Sequence, residues 1–140
     1  MLTDLPDEAR AILESDALAH LVTVNADGSP QVSCVWVGLE GNELAFASLG
    51  PRRKLDNIRR DPRVVLSMEG TQVSAIGLKE YLIVYGRARI EEGGGPELLQ
   101  RLAHTYLGPD VKFPPMDDPP PGVVVRIAVE RLGGHGPWIV

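Results

Sequence analysis

The sequence predicts a mostly β chain of the α+β class: an antiparallel barrel of six strands carrying two or three short helices. Three observations lead there. Short apolar runs rich in β-branched residues recur from Ala19 to Leu132. Tight-turn signals, Asp27-Gly28 and Gly41-Asn42, join the first of these runs as a meander. Helical periodicity is confined to short stretches inserted among the strand patterns.

Pro6 to about Ser15 reads as a short N-terminal helix, capped by Asp4, with Ala9, Ile12 and Leu13 as its apolar face. Ala19–Asn25 is the first strand pattern. Gln31–Leu39 follows the Asp27-Gly28 turn and alternates Val32, Cys34 and Trp36 against Val35 and Val37. Glu43–Ala47 returns after Gly41-Asn42. A helix over residues 51–61 crosses over to a strand at Arg63–Met68. Residues 70–80 lack periodicity and are expected to be a loop. Tyr81–Ile90 alternates, with Leu82, Val84, Gly86 and Ala88 on one side. Pro96–Tyr106 is an amphipathic helix whose stripe is Leu98, Leu99, Leu102, Ala103 and Tyr106. Residues 109–122 hold six of the twelve prolines and read as an extended loop. Val123–Leu132 is the last strand, and Gly133-Gly134-His135-Gly136-Pro137-Trp138 an irregular tail. No repeat or boundary interrupts residues 1–140, which read as a single domain.

The net charge is −5, yet five of the fourteen Lys and Arg lie within residues 52–60, opposed only by Asp56. A nucleic-acid protein would spread its positive charge along a face, so this concentration points to a local anionic ligand and to no nucleic acid. The single cysteine, Cys34, excludes an internal disulfide and a cysteine-cluster metal site. Its apolar neighbours read as those of a buried, inert thiol. No signal peptide opens the chain and no apolar stretch is long enough to span a bilayer, so a soluble cytoplasmic protein with no membrane partner is expected. His-Glu-x-x-His, Cys-x-x-Cys, a serine nucleophile elbow and a P-loop are all absent, and no metal site is expected.

The basic cluster stands where a helix least wants it. Pro51 suits the first helical position, with Ser48 or Gly50 as cap, and Pro62 ends the pattern. Arg52, Arg53 and Lys54 then fill the first turn, against the positive end of the helix dipole, at a cost of about 0.3–1 kcal/mol each. An anion held by the first N–H groups and these side chains offsets that cost. A solvated basic face is the alternative. At about 100° per residue, Pro51, Leu55 and Ile58 form the buried stripe. Lys54 and Asn57 lie on one flank of it. Arg52, Asp56 and Arg59 lie on the other, where Arg52 and Asp56 have the spacing of an i,i+4 pair worth about 0.2–0.5 kcal/mol.

Three segments carry a family resemblance. They are Leu21–Val24 with Asp27–Ser33, the run Pro51–Val64 with its Arg-Asp-Pro-Arg ending, and Gly86-Arg87-Ala88. Together the chain resembles the pyridoxamine 5′-phosphate oxidase-like split β-barrel proteins, and within them the small branch that uses the deazaflavin coenzyme F-420. The resemblance runs from about Ala17 to Trp138. It implies a six-stranded split barrel that forms a homodimer, with a cofactor touched by both subunits at each interface. It implies that Arg52, Lys54 and Asn57 hold the cofactor phosphate, with Ser48 at the strand end. It implies that Gln31, Val32, Ser33 and Val35 line the ring system. On the helix positions, Arg53 is expected to point to solvent or toward a longer anionic tail. Trp36, at the alternate position of the same strand, is expected on the opposite face. Trp138 either covers a ring supplied by the partner subunit or anchors the tail in the core. His135 either donates to a substrate carbonyl or is a bystander.

No catalytic acid or base is assigned, because in hydride transfer the cofactor carries the hard chemistry. The resemblance implies an F-420-dependent reductase of an electron-poor small molecule, since basic residues beyond the phosphate clamp suit that coenzyme's acidic tail. An FMN flavoprotein is the second reading. A non-enzymatic cofactor-storing or tetrapyrrole-binding protein is the third. Phe113 and Met116, in the proline loop, are candidates to roof a substrate pocket.

Overall fold

All the strands among the described residues join one antiparallel sheet. The computed structural model describes residues 2–139. Their elements are α1 (Asp7–Leu13), β1 (Ala19–Val24), β2 (Pro30–Val35), β3 (Gly38–Glu40), β4 (Glu43–Ser48), α2 (Arg53–Arg60), β5 (Arg63–Val73), β6 (Lys79–Glu92), α3 (Gly95–Tyr106) and β7 (Val123–His135). The seven strands lie in the order β2-β1-β5-β6-β7-β4-β3. Every neighbouring pair is antiparallel.

The two ends of that order are joined by the chain itself. Only Trp36 and Val37 separate β2 from β3, so three Cα steps of about 3.8 Å hold the two edges within about 11 Å. The sheet therefore curls into a barrel, yet no ladder joins β2 to β3. This is a split barrel. Its interior is apolar: Leu21, Leu44, Phe46, Leu66, Leu82 and Ile127 are fully buried.

Four expectations change. The sheet has seven strands rather than six, because Gln31–Leu39 breaks at Trp36-Val37 where the chain passes from one edge to the other. Residues 70–80 are not a loop. β5 and β6 run on through them and turn over Ser74–Leu78, with the Ser74 N–H donating to the Leu78 carbonyl at 2.8 Å. The end of β5 is exposed on both faces, so it carries no alternation to read. The start of the glycine-rich tail is likewise strand: Gly133 and Gly134 pair with Ile83 and Leu82. Gly134 has φ +91°, and a Cβ there would collide with the Tyr81 carbonyl, so glycine hides a strand that its low β propensity disguises. Finally, Pro6 and not Asp4 precedes α1, which has no side-chain cap. The burial of Leu5, Ala9 and Leu13 against the barrel end holds that helix instead.

α3 packs outside the barrel. Leu98 and Leu102 bury against Ala45 and Val124 of β4 and β7, in a cluster separate from the interior. That places the C-terminal end of α3 beside the β2–β3 break. No helix among the described residues is long and apolar enough to cross a membrane.

Candidate functional site

A cleft of about 350 Å³ opens where four elements meet. Cys34 and Val35 come from the end of β2 and Trp36 from just beyond it, and Ser48 comes from the end of β4 with Leu49 just beyond. The start of α2 contributes Arg52 and Lys54, while Leu99 of α3 and Phe113 of the proline loop complete the wall.

Its floor is cationic and uncompensated. Among the described residues, neither Arg52 nor Lys54 has a carboxylate within 4.0 Å. Asp56 pairs with Arg59 at 3.5 Å and leaves Arg52 alone. The Arg52 Nη1 donates instead to the Pro51 carbonyl at 2.8 Å. Lys54 is half-buried, and loss of hydration, reinforced by the Arg52 charge, pulls its ammonium below the ordinary lysine value. An anion in the cleft reverses both effects. The start of α2 adds to the same field. Its cap is Arg52 itself, in extended conformation, and no side chain caps the helix. The first N–H groups and the dipole of α2 therefore act with the side chains. Pro51 precedes the cap and is exposed, so it belongs neither to the first turn nor to the buried stripe. Ser48 plays no capping part either. It donates to the Gly50 carbonyl at 2.8 Å and so shapes the β4–α2 turn.

The upper wall is aromatic. Trp36 stacks on Tyr106 with centroids 5.4 Å apart and planes at 7°. Phe113 meets Trp36 at 5.2 Å and 57°. Trp36 was expected on the face opposite the site. Because β2 ends at Val35, the strict alternation of a strand no longer governs the next residue. Cys34, expected buried, is exposed and lines the cleft. It sits on an edge strand, and edge strands have one open side.

The other candidates lie elsewhere or act indirectly. Asn57 is buried, 2 % exposed. Its Nδ2 faces Thr23 Oγ1 at 3.0 Å, Asn25 Oδ1 at 2.9 Å and Gln31 Oε1 at 3.4 Å, and its Oδ1 accepts from Arg60 at 2.9 Å. An amide so committed ties α2 to β1 and β2, and so holds Lys54 in place, instead of reaching an anion. Gln31 is part of that clasp. Ser33 keeps a buried hydroxyl with no partner among the described residues. Val32 is 62 % exposed on the edge strand. Arg53 lines a second cleft, with Asn25, Asp27 and Asp56. Trp138 takes the anchoring alternative and not the ring-covering one: it is 6 % exposed, packs in the core and donates from Nε1 to the Gly133 carbonyl at 2.7 Å. His135 bonds Ser74 at 2.8 Å across the β5–β6 turn.

Size alone does not select the site. A cleft of about 670 Å³ lies on the outer face of β1, β5 and β6. Its cations are already engaged: Arg131 lies 3.8 Å over the Tyr85 ring, and Arg63 pairs with Asp61 at 2.7 Å. The smaller cleft alone of the two presents unpaired cations beside an aromatic wall.

Comparison with known proteins agrees with this fold. No match was found among the curated proteins. An F-420 reductase superposes with a TM-score of 0.74 at 27 % identity, covering 92 % of this chain and 98 % of that one. A pyridoxamine 5′-phosphate oxidase-like protein of Listeria innocua gives 0.66 at 23 % identity, over 91 % and 95 % of the two chains. A conserved hypothetical protein of Mycobacterium tuberculosis gives 0.68 at 24 %, over 96 % and 87 %. The family described as pyridoxamine 5′-phosphate oxidase matches residues 5–136, from just before α1 to just past the end of β7, and so nearly the whole split barrel. The chain belongs to the pyridoxamine 5′-phosphate oxidase family.

Proposed function

We propose that the chain is an oxidoreductase that uses the deazaflavin coenzyme F-420, most simply as a reductase of an electron-poor small molecule, and that it works as a homodimer. Its family includes oxidoreductases and binds flavins. The observation that carries the reading is the pair Arg52 and Lys54: two cations without carboxylate partners, at an uncapped helix start, beside Trp36. The likeness to an F-420 reductase supports the choice of coenzyme.

The residues of the cleft suit a phosphorylated ring system. Arg52 and Lys54 bind the phosphate, with charge-assisted hydrogen bonds roughly twice as strong as neutral ones. Val35, Trp36 and Phe113 flank the ring. Leu49 and Leu99 keep water from it. Ser48 and Asn57 hold the loop and helix that present the cations. When bound, the deazaflavin supplies the hydride chemistry.

FMN is the second reading, favoured by the family's flavin binding. Titration of the purified protein with F-420 and with FMN, followed by tryptophan fluorescence, separates the two. Preference for F-420 by about tenfold, or about 1.4 kcal/mol, supports the reductase reading. Preference for FMN keeps the site and changes the coenzyme. Binding of neither overturns both. Light scattering tests the dimer independently.

A further inference from the structure

The loop over residues 109–122 is poor in N–H donors because six of its residues are proline. It pairs with no strand, yet it presents Phe113 to the cleft. One side chain of α3 holds it there. The Nε2 of Gln100 donates to the Val111 carbonyl at 2.8 Å, and its Oε1 accepts the Phe113 N–H at 3.0 Å. The same Nε2 also faces His104 Nε2 at 3.0 Å. A carbonyl and an N–H two residues apart are what a neighbouring strand would engage. Here a single amide does so, its Nε2 on the carbonyl and its Oε1 on the N–H. The same helix carries Tyr106, which stacks on Trp36. α3 thus sets both rings that pack against Trp36.

We propose that Gln100 is a positioning residue: by clasping the loop backbone at Val111 and Phe113, it fixes Phe113 against Trp36 and preorganises the aromatic wall of the cleft for a planar ring. The proposal rests on the cofactor reading above and deepens it. It divides the site into two arms. The cations hold the phosphate, and the Gln100-supported wall holds the ring. Preorganisation of this kind lowers the ordering cost of binding and so acts on affinity without touching the ligand.

Gln100→Met keeps the length and volume of the side chain and removes the clasp. Trp138 is buried, so acrylamide quenching of the protein without ligand reports on Trp36. The expected result is a quenching constant raised about twofold and a Kd for FMN and F-420 raised about fivefold, with the Kd for inorganic phosphate unchanged. In a Phe113→Ala background the same substitution loses its effect on ring affinity, because its route has been removed. Equal weakening of ring and phosphate binding shows general damage and overturns the proposal. So does unchanged quenching, whatever ligand binds. If the unmodified protein binds neither FMN nor F-420, the cofactor reading fails, and the quenching comparison still decides whether Gln100 fixes the wall.

Discussion

The Tyr106 hydroxyl accepts the backbone N–H of Val37 at 3.2 Å, in the gap where the barrel is split. It donates in turn to the Ala17 carbonyl at 3.0 Å. Val37 links β2 to β3 and has no ladder partner for that N–H, so a side chain from α3 supplies what a strand would. Burial raises the Tyr106 pKa above the ordinary phenol value. Tyr106→Phe leaves both backbone groups short of a partner and is expected to cost about 1–3 kcal/mol in urea unfolding. A cost below experimental error would show that water replaces the hydroxyl at no loss.

Asn57 bridges α2 to β1 and β2 through Thr23, Asn25 and Gln31. Asn57→Ala removes a buried amide and strands several partners at once, so the expected loss is about 2–3 kcal/mol. Arg53→Ala, on the exposed side of the same turn, is expected to change stability by no more than about 0.5 kcal/mol. Comparable effects of the two would remove the distinction between them.

Asp61 accepts from Arg63 Nη2 at 2.7 Å and from its Nε at 3.0 Å. Those hydrogen bonds hold its carboxyl at about 2. A depressed carboxylate pKa adds stability that is present above the unfolded value, about 3.9, and is lost as pH falls toward the folded value. Stability should therefore decline as pH falls from about 4 to about 2, and Asp61→Asn should flatten that decline. An NMR titration placing the Asp61 midpoint near the unfolded value would contradict the assignment.

Cys34 is exposed on the wall of the cleft. Bound F-420 or FMN should slow its alkylation by iodoacetamide about tenfold or more, because the ring covers the thiol. Equal rates with and without ligand would place the ring elsewhere.

Much of this was legible in the residues. The strands at Ala19–Val24, Glu43–Ser48 and Arg63–Met68 follow from β-branched runs and tight turns. The cleft's cations could be read from Arg52 and Lys54, because charge placed against a helix dipole calls for an explanation. The aromatic wall could not. Trp36, Tyr106 and Phe113 come from three distant segments, and local periodicity carries no signal for that meeting. Trp36 was misassigned because alternation holds only within a strand, and β2 ends one residue earlier. The residues left two places open for Trp138, and the structure takes the anchoring one: an indole that finds an acceptor as close as the Gly133 carbonyl can be buried without an orphaned N–H.

Lys54→Met tests the account most directly. Its depressed pKa means that folding places the ammonium where it is poorly hydrated. For a lysine lowered in the folded state, stability rises as pH climbs from the folded pKa toward the unfolded one, about 10.4, and the charged form is a liability below that window. The variant without ligand should thus melt no lower than the parent. Its affinity for F-420, measured by calorimetry, should fall about 10- to 150-fold, the loss of a charge-assisted contact of about 1.5–3 kcal/mol. Unchanged affinity, or a melting temperature that drops in step with affinity, would contradict the claim that Lys54 serves the anion and not the fold.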